Sequence, residues 1–148
     1  MRIRLLAVLL CAVIASPVAA ETFTFEAHDR DVTRIGGAGP AGTPVAGQMV
    51  SGTSQGTMAG GAKLAGTHKC SSLFGQPRGA LYPVNMVCEV TDSTGSYLIT
   101  AGCTPAPDKT IGCVGELTGK AGAYAGRKGL ITIYTKGEMV RGAGQWFD

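Results

Sequence analysis

The segment LTGKAGAYAGRKGLITIY, residues 117–134, places four glycines within eleven positions and then continues into a strand-like run. A glycine-rich loop beside lysines can bind phosphate through its backbone amides, or it can form a sharp corner in a β-structure. The phosphate loop requires Gly, four residues and then Gly-Lys-Ser/Thr. Here only three residues separate Gly115 from Gly119, and Ala121 follows Lys120 where a hydroxyl is needed. We therefore interpret the segment as a corner at which glycines let the strands bend.

Short strands separated by glycine turns explain the remainder of the sequence. Apolar and polar residues alternate in most segments, and helical periodicity is nearly absent. We predict a loop at 35–44 and about eight strands, at 21–27, 46–60, 62–70, 83–91, 96–103, 112–117, 130–136 and 141–148. A barrel or a tight two-layer sandwich encloses this many antiparallel strands with few exposed edges.

The first twenty residues have the pattern of a secretory signal peptide. A basic start with Arg2 and Arg4 precedes an apolar run from Leu5 to Ile14, and small residues follow up to Ala20. We expect cleavage after Ala20, which leaves one domain of residues 21–148 in the periplasm or in the medium.

Charge and hydropathy argue against two classes of function. The chain has 13 Lys and Arg against 10 Asp and Glu, and two of the arginines lie in the signal peptide, so the exported part is nearly neutral. A nearly neutral domain lacks the basic stripe of nucleic-acid-binding proteins. No second apolar run is long enough to span a bilayer. We therefore expect no nucleic-acid partner and no stable membrane insertion.

Four cysteines lie outside the signal peptide, at Cys70, Cys88, Cys103 and Cys113. An even number in an exported chain predicts disulfides, and a zinc site is the alternative, although no C-x-x-C spacing is present. A two-residue turn at 93–94 would place Cys88 opposite Ile99, about four residues out of register with Cys103. We therefore predict the disulfides Cys70–Cys88 and Cys103–Cys113, and we expect no metal.

The segment GKAGAYAGRKG, residues 119–129, resembles the G-G-T-G-x-[FY]-x-G-A-x-G motif of the allene oxide cyclase-like and dirigent-like β-barrel superfamily. The matching positions are Gly119, Gly122, Tyr124, Gly126 and Gly129. The departures are Lys120, Ala121 and Arg127. The closing GAGQW, residues 142–146, also resembles the last strand of bacterial members. The resemblance implies a single eight-stranded antiparallel barrel with a glycine-rich corner and a central cavity, often assembled as a trimer.

The resemblance also implies a function. In this family the cavity binds an apolar or phenolic guest, and plant members either cyclise an allene oxide or direct the coupling of phenoxy radicals. We therefore expect an exported barrel that binds a small hydrophobic or aromatic molecule without a cofactor. A cyclase-type or dirigent-type activity would be an extension of that binding, because a fold does not fix a function.

His68 is the first candidate for a polar group inside such a cavity. It shares a strand face with Leu64 and Cys70, so it is either a cavity-lining acid or base or a histidine held in place by a hydrogen bond. Glu89 and Glu116 alternate out of phase with the cysteines, and we expect both carboxylates to face solvent.

A second group of candidates lies in AHDRDVTR, residues 27–34. At the end of the first strand it groups five charged or titratable residues: His28, Asp29, Arg30, Asp31 and Arg34. They either bind a polar head group at the cavity mouth, as the resemblance implies, or belong to a salt-bridged surface loop. Lys128 falls where dirigent proteins often carry arginine, and its alternative role is that of a solvated charge at the corner.

Tyr124 and Trp146 are the aromatic candidates. Each either stacks on a ligand or fills the core. Conventional catalytic motifs such as G-x-S-x-G and H-E-x-x-H are absent from the sequence. Two other classes therefore stay open: a non-catalytic envelope module whose barrel is filled by side chains, and a lipocalin-like carrier. An internal void favours a ligand-binding protein, whereas a contiguous exposed apolar patch favours an interaction module.

Overall fold

A computed structural model of the chain describes residues 20–38, 44–75 and 81–147. The predicted signal peptide and its cleavage site fall almost wholly outside these residues. The strands are β1 (Glu21–Ala38), β2 (Pro44–Met58), β3 (Lys63–Phe74), β4 (Val84–Asp92), β5 (Gly95–Pro105), β6 (Ile111–Gly122), β7 (Lys128–Lys136) and β8 (Met139–Phe147). Within the described ranges no helix forms, so none that could cross a membrane is present.

The eight strands form one closed antiparallel barrel. Each strand pairs with the next along the chain, and β8 returns to pair with the first half of β1, from Glu21↔Trp146 to His28↔Met139. Closure satisfies backbone groups that an open sheet would leave at its edges. The predicted fold class is therefore confirmed, and the sandwich alternative is wrong.

Both predicted disulfides are present, and each joins residues directly opposite one another on neighbouring strands. The bridge Cys70–Cys88 links β3 to β4, and the bridge Cys103–Cys113 links β5 to β6. The predicted register of the β4–β5 hairpin is confirmed as well, because Cys88 lies opposite Ile99. Disulfides persist in non-reducing compartments, so this chain belongs to an extracellular-type environment.

The glycine-rich segment is the corner between β6 and β7, as predicted. The β5–β6 register shifts by one residue opposite Ser96 and Tyr97, which leaves Lys120 as a bulge, and Gly122 takes a φ of 65°. The turn closes with a hydrogen bond that the backbone N–H of Gly119 donates to the carbonyl of Arg127 at 2.9 Å. Bulges of this kind increase strand twist and re-aim side chains, which a small barrel needs in order to close.

Tyr124, at the tip of the corner, turns inward and closes one end of the barrel. Its ring stacks on Trp146 with a centroid distance of 5.0 Å, and Tyr97 packs edge-on against both rings. The Tyr124 hydroxyl donates a hydrogen bond to Asp92 Oδ2 at 2.7 Å, and the Arg127 guanidinium covers the outer face of Trp146. We call this end, where β1 begins and β8 ends, the aromatic end.

The predicted loop at 35–44 is only partly correct. The strand β1 continues to Ala38 and β2 begins at Pro44, while residues 39–43 lie outside the described part of the chain. The second half of β1 still pairs with β2 after it has left β8, so the β1–β2 hairpin extends past β8. Glycine and proline in this stretch suggest a loop, but β1 tolerates glycine along an edge that β8 no longer pairs with, and Pro44 is the first residue of β2.

Candidate ligand-binding cavity

The barrel encloses a cavity of about 260 Å³. Side chains from all eight strands line it, and most of them are apolar. Four aromatic residues contribute to the wall: Phe23, Phe25, Phe74 and Tyr97. The four bridged cysteines also face the cavity, so the disulfides hold its wall. An apolar, covalently braced cavity of this kind suits a small hydrophobic guest.

The end of the cavity opposite the aromatic end is lined by polar side chains. Arg34, Gln48 and Ser72 lie on paired positions of β1, β2 and β3, and all three line the cavity. Arg34 Nε donates a hydrogen bond to Gln48 Oε1 at 3.4 Å. We call this the polar end, and it contrasts with the stacked rings at the aromatic end.

Between the two ends, His68 and Asp29 form a polar pair on the cavity wall. His68 is 6% exposed, and its Nε2 lies 3.0 Å from Asp29 Oδ1. A carboxylate oxygen accepts hydrogen bonds, so Nε2 carries the hydrogen and donates it to Asp29. His68 thus both lines the cavity and is held in place by a hydrogen bond, and its partner Asp29 comes from the second candidate group.

Asp29 points into the barrel, in phase with the inward residues that precede it on β1. A β-bulge follows it: the β1–β2 register shifts between Asp29, which pairs with Gly52, and Asp31, which pairs with Ser51, so Arg30 is the extra residue. One inserted residue reverses the alternation of side chains beyond it. As a result Asp31, which would otherwise share the inward face of Asp29, points outward.

Gly52 lies between the two members of the pair. It pairs with Asp29 on one side and with His68 on the other. A Cβ atom at position 52 would lie 2.7 Å from Cε1 of His68 and 2.0 Å from the carbonyl oxygen of His28. Only glycine therefore lets the imidazole cross β2 and reach Asp29.

The second ring nitrogen of His68 is left without a partner. Nδ1 is fully buried and makes no hydrogen bond with any residue that the structure describes. A buried polar atom without a partner costs free energy, and such atoms are rare in folded proteins. The described residues therefore leave the hydrogen-bonding capacity of Nδ1 unused, in a side chain that lines the cavity.

Of the remaining charged candidates, Arg34 lines the cavity at the polar end, whereas Arg30, Asp31 and Lys128 lie outside it. Arg30 is exposed at the bulge, and Asp31 accepts a hydrogen bond from Ser51 Oγ at 3.1 Å on the outer face. These residues belong to β1, so the interpretation of 27–34 as a loop is wrong. Lys128 is exposed and donates a hydrogen bond to Thr118 Oγ1, which places its ammonium group outside the barrel.

Glu89 and Glu116 are exposed, as predicted. The Lys120 ammonium contacts Glu89 and lowers the pKa of that carboxyl.

Tyr124 and Trp146 are 4% and 1% exposed, and they lie behind Tyr97 and Phe23, which separate them from the cavity. The structure places both aromatic candidates in the core at the aromatic end, and not on the cavity wall.

The outer wall of the barrel carries exposed apolar side chains. Met49, Leu73 and Val87 point outward from β2, β3 and β4, close to Ile35 on β1. Tyr82 packs on the outer face of β5 above Gly102. The chain therefore has both features that distinguish the functional hypotheses, an internal void and an exposed apolar face.

The buried hydroxyl of Tyr124 predicts that the stability of the barrel falls at alkaline pH. Burial and the hydrogen bond to Asp92 raise the pKa of Tyr124 from 10.0 to about 12. A raised pKa means that the stabilisation is complete below pH 10 and is lost as the pH rises through about 12. We expect Tyr124→Phe to lower the free energy of unfolding by about 1.5–3 kcal/mol below that range.

Urea unfolding followed by circular dichroism, measured across this pH range, checks the expectation. The difference between wild type and Tyr124→Phe should shrink as the pH rises. The control is Tyr134→Phe, at a tyrosine on the outer face, which should show no comparable change. A constant difference for Tyr124→Phe would show that the hydroxyl does not titrate with folding.

Among the described residues no group of three or more His, Cys, Asp or Glu side chains is arranged to hold a metal ion. In comparisons with known proteins, no family model, no curated protein and no solved structure matches this chain.

Proposed function

We propose that this protein is an exported β-barrel that binds a small hydrophobic or phenolic molecule in its interior. The observation that carries the proposal is the apolar cavity of about 260 Å³ with one buried polar pair in its wall. Binding pockets for small molecules combine a mostly apolar lining with a few placed polar groups that fix orientation. The two disulfides and the predicted signal peptide support a location in the periplasm or outside the cell.

The size of the cavity restricts the guest. A dry apolar cavity of about 150 Å³ accommodates benzene, and pockets for drug-sized ligands have about 300–1,000 Å³. A cavity of about 260 Å³ lies between these limits. It fits one substituted aromatic ring or a compact terpenoid better than a long acyl chain.

The guest enters, in this proposal, from the polar end. The aromatic end is closed by the stacked rings of Tyr124 and Trp146 and by the guanidinium of Arg127. The polar end has no such aromatic stack among the described residues, and the polar side chains of Arg34, Gln48 and Ser72 line it. Confinement in such a barrel would hold a reactive guest in one conformer, and a cyclase-type or dirigent-type activity would follow from that confinement.

Two variants on adjacent residues of β3 test the proposal. Ser72 lines the cavity near the polar end, whereas Ser71 is exposed on the outer face of the same strand. We expect the wild type to bind members of a panel of single-ring phenols in calorimetric titrations. Ser72→Trp should weaken that binding at least about tenfold, because the indole occupies ligand volume, and Ser71→Trp should leave it within about twofold.

Two results would contradict the proposal. One is a wild-type protein that binds no phenol of the panel. The other is binding that Ser71→Trp weakens as much as Ser72→Trp does, because such binding would take place on the outer surface. Thermal unfolding of both variants controls for a loss of folded protein.

The exposed apolar face of β2, β3 and β4 favours a second candidate function. Met49, Leu73 and Val87 are half-exposed or more, and exposed apolar patches often mark interaction surfaces. A structural module that assembles with further copies of this chain would use this face. Such an assembly is compatible with a ligand in the cavity, because the face points away from the barrel interior.

A further inference from the structure

We propose that Nδ1 of His68 is the hydrogen-bond acceptor for the hydroxyl group of a single-ring phenol held in the cavity. This assignment deepens the proposed ligand-binding function and rests on it. It gives the buried pair of His68 and Asp29 a role in recognition, and it defines the chemical class of the guest more narrowly than the shape of the cavity does.

The role of Nδ1 as a hydrogen-bond acceptor follows from the hydrogen bond that the other ring nitrogen makes. Nε2 lies 3.0 Å from Asp29 Oδ1, so Nε2 carries a hydrogen and donates it to the carboxylate. In the neutral form of the ring, which the proposal requires, the lone pair is then on Nδ1. A group that binds there must donate a hydrogen, and a ligand that only accepts hydrogen bonds is disfavoured.

The site is constructed by two features of the fold. Regular alternation along β1 turns Asp29 inward, and Gly52 leaves space for the imidazole to reach it across β2. The nitrogen that results is fully buried and has no partner among the described residues, although His68 lines the cavity. A structural histidine would be expected to satisfy both of its ring nitrogens within the protein.

The surroundings of the pair select a phenol among possible donors. The wall contributes four aromatic rings, including those of Phe25 and Phe74, which favour a flat aromatic guest. A carboxylate has no hydrogen to donate and would be repelled by Asp29. An ammonium group would lose its hydration in an apolar cavity. A neutral hydroxyl on an aromatic ring has neither disadvantage.

The experiment compares p-cresol with p-xylene, which differ by a hydroxyl in place of a methyl group of similar size. Binding of both compounds is measured calorimetrically to the wild type, to His68→Gln and to His68→Phe. Glutamine can still donate to Asp29 but has no nitrogen at the position of Nδ1, and phenylalanine keeps the volume of the ring. Lys69→Gln, at the adjacent exposed residue, is the matched control.

We expect both His68 variants to raise the Kd for p-cresol about tenfold and the Kd for p-xylene by less than about twofold. Lys69→Gln should change neither value. An equal loss for both compounds, or no loss for p-cresol, would overturn the role of His68 while the cavity function stands. If the wild type binds neither compound, both the role of His68 and the proposed ligand class are wrong.

Nitrogen NMR of the wild-type protein gives an independent readout that does not depend on binding. The protein has two histidines, and the exposed His28 provides a reference signal. The assignment predicts the tautomer of His68 with the hydrogen on Nε2. The opposite tautomer, or an imidazolium at neutral pH, would make Nδ1 a donor and would overturn the proposal.

Discussion

Trp146→Ala should lower the free energy of unfolding by about 3–5 kcal/mol, the usual cost of deleting a large buried aromatic side chain. Trp146 is 1% exposed, stacks on Tyr124 at 5.0 Å and contacts Phe23 and Tyr97. Alanine would leave an empty space at the aromatic end and would remove the surface on which the corner packs. Urea unfolding with intact disulfides measures the change.

The control for this prediction is the next residue along β8. Phe147 is 39% exposed and points to the opposite face, so Phe147→Ala should change the free energy of unfolding by less than about 1 kcal/mol. Circular dichroism is the appropriate signal, because Trp146 is the single tryptophan and its removal abolishes the usual fluorescence probe. Similar losses in the two variants would show that the aromatic end is not the packed core described above.

Gly119→Ala should destabilise the barrel by about 3 kcal/mol, at the upper end of the usual cost of overpacking. A Cβ atom at position 119 would lie 1.5 Å from the backbone carbonyl oxygen of Tyr124. The obstacle is main chain and cannot rotate away, so the whole corner between β6 and β7 must move. Tyr124 would then lose its place against Trp146.

Gly112 provides the matched control on the same strand. A Cβ atom there would meet no other atom within 4 Å, and we expect Gly112→Ala to change the free energy of unfolding by no more than about 0.5 kcal/mol. Chemical denaturation of both variants decides the question. A Gly119→Ala protein as stable as Gly112→Ala would contradict the close approach of corner and strand.

Most of the fold could be predicted because its determinants are local in sequence. The two-residue turn after Asp92 sets the register of β4 and β5, and that register excludes a bridge between Cys88 and Cys103. The glycines of the corner show by their spacing that no phosphate loop is present. The inward position of His68 also follows from simple alternation along β3.

The pairing of His68 with Asp29 could not be predicted, because it depends on the alignment of three strands. Alternation along β1 from Phe23 indicates that Asp29 points inward, but it would place Asp31 inward as well, and no residue type at 29–31 marks the intervening bulge reliably. Gly52, in register with both His68 and Asp29, is the signal for their contact, and it becomes informative only after β2 has been aligned with both neighbours.

The alternatives for Lys128 and Trp146 stay open in the sequence for another reason. A resemblance in the corner makes Lys128 a candidate, but a match of motif positions does not specify which way a side chain points at the start of a strand. Trp146 was ambiguous because a buried indole suits a core and a binding site equally well. In the structure Trp146 stacks on Tyr124 and belongs to the core.

Native mass spectrometry of the protein purified from its source organism tests the central claim most directly. We predict one small molecule per barrel, seen as a mass excess that disappears on denaturation. The extracted molecule should contain a single hydroxylated aromatic ring. The same spectrum reports whether the apolar outer face joins copies of the chain. A bare protein mass, unchanged after incubation with single-ring phenols, would contradict a ligand-binding interior.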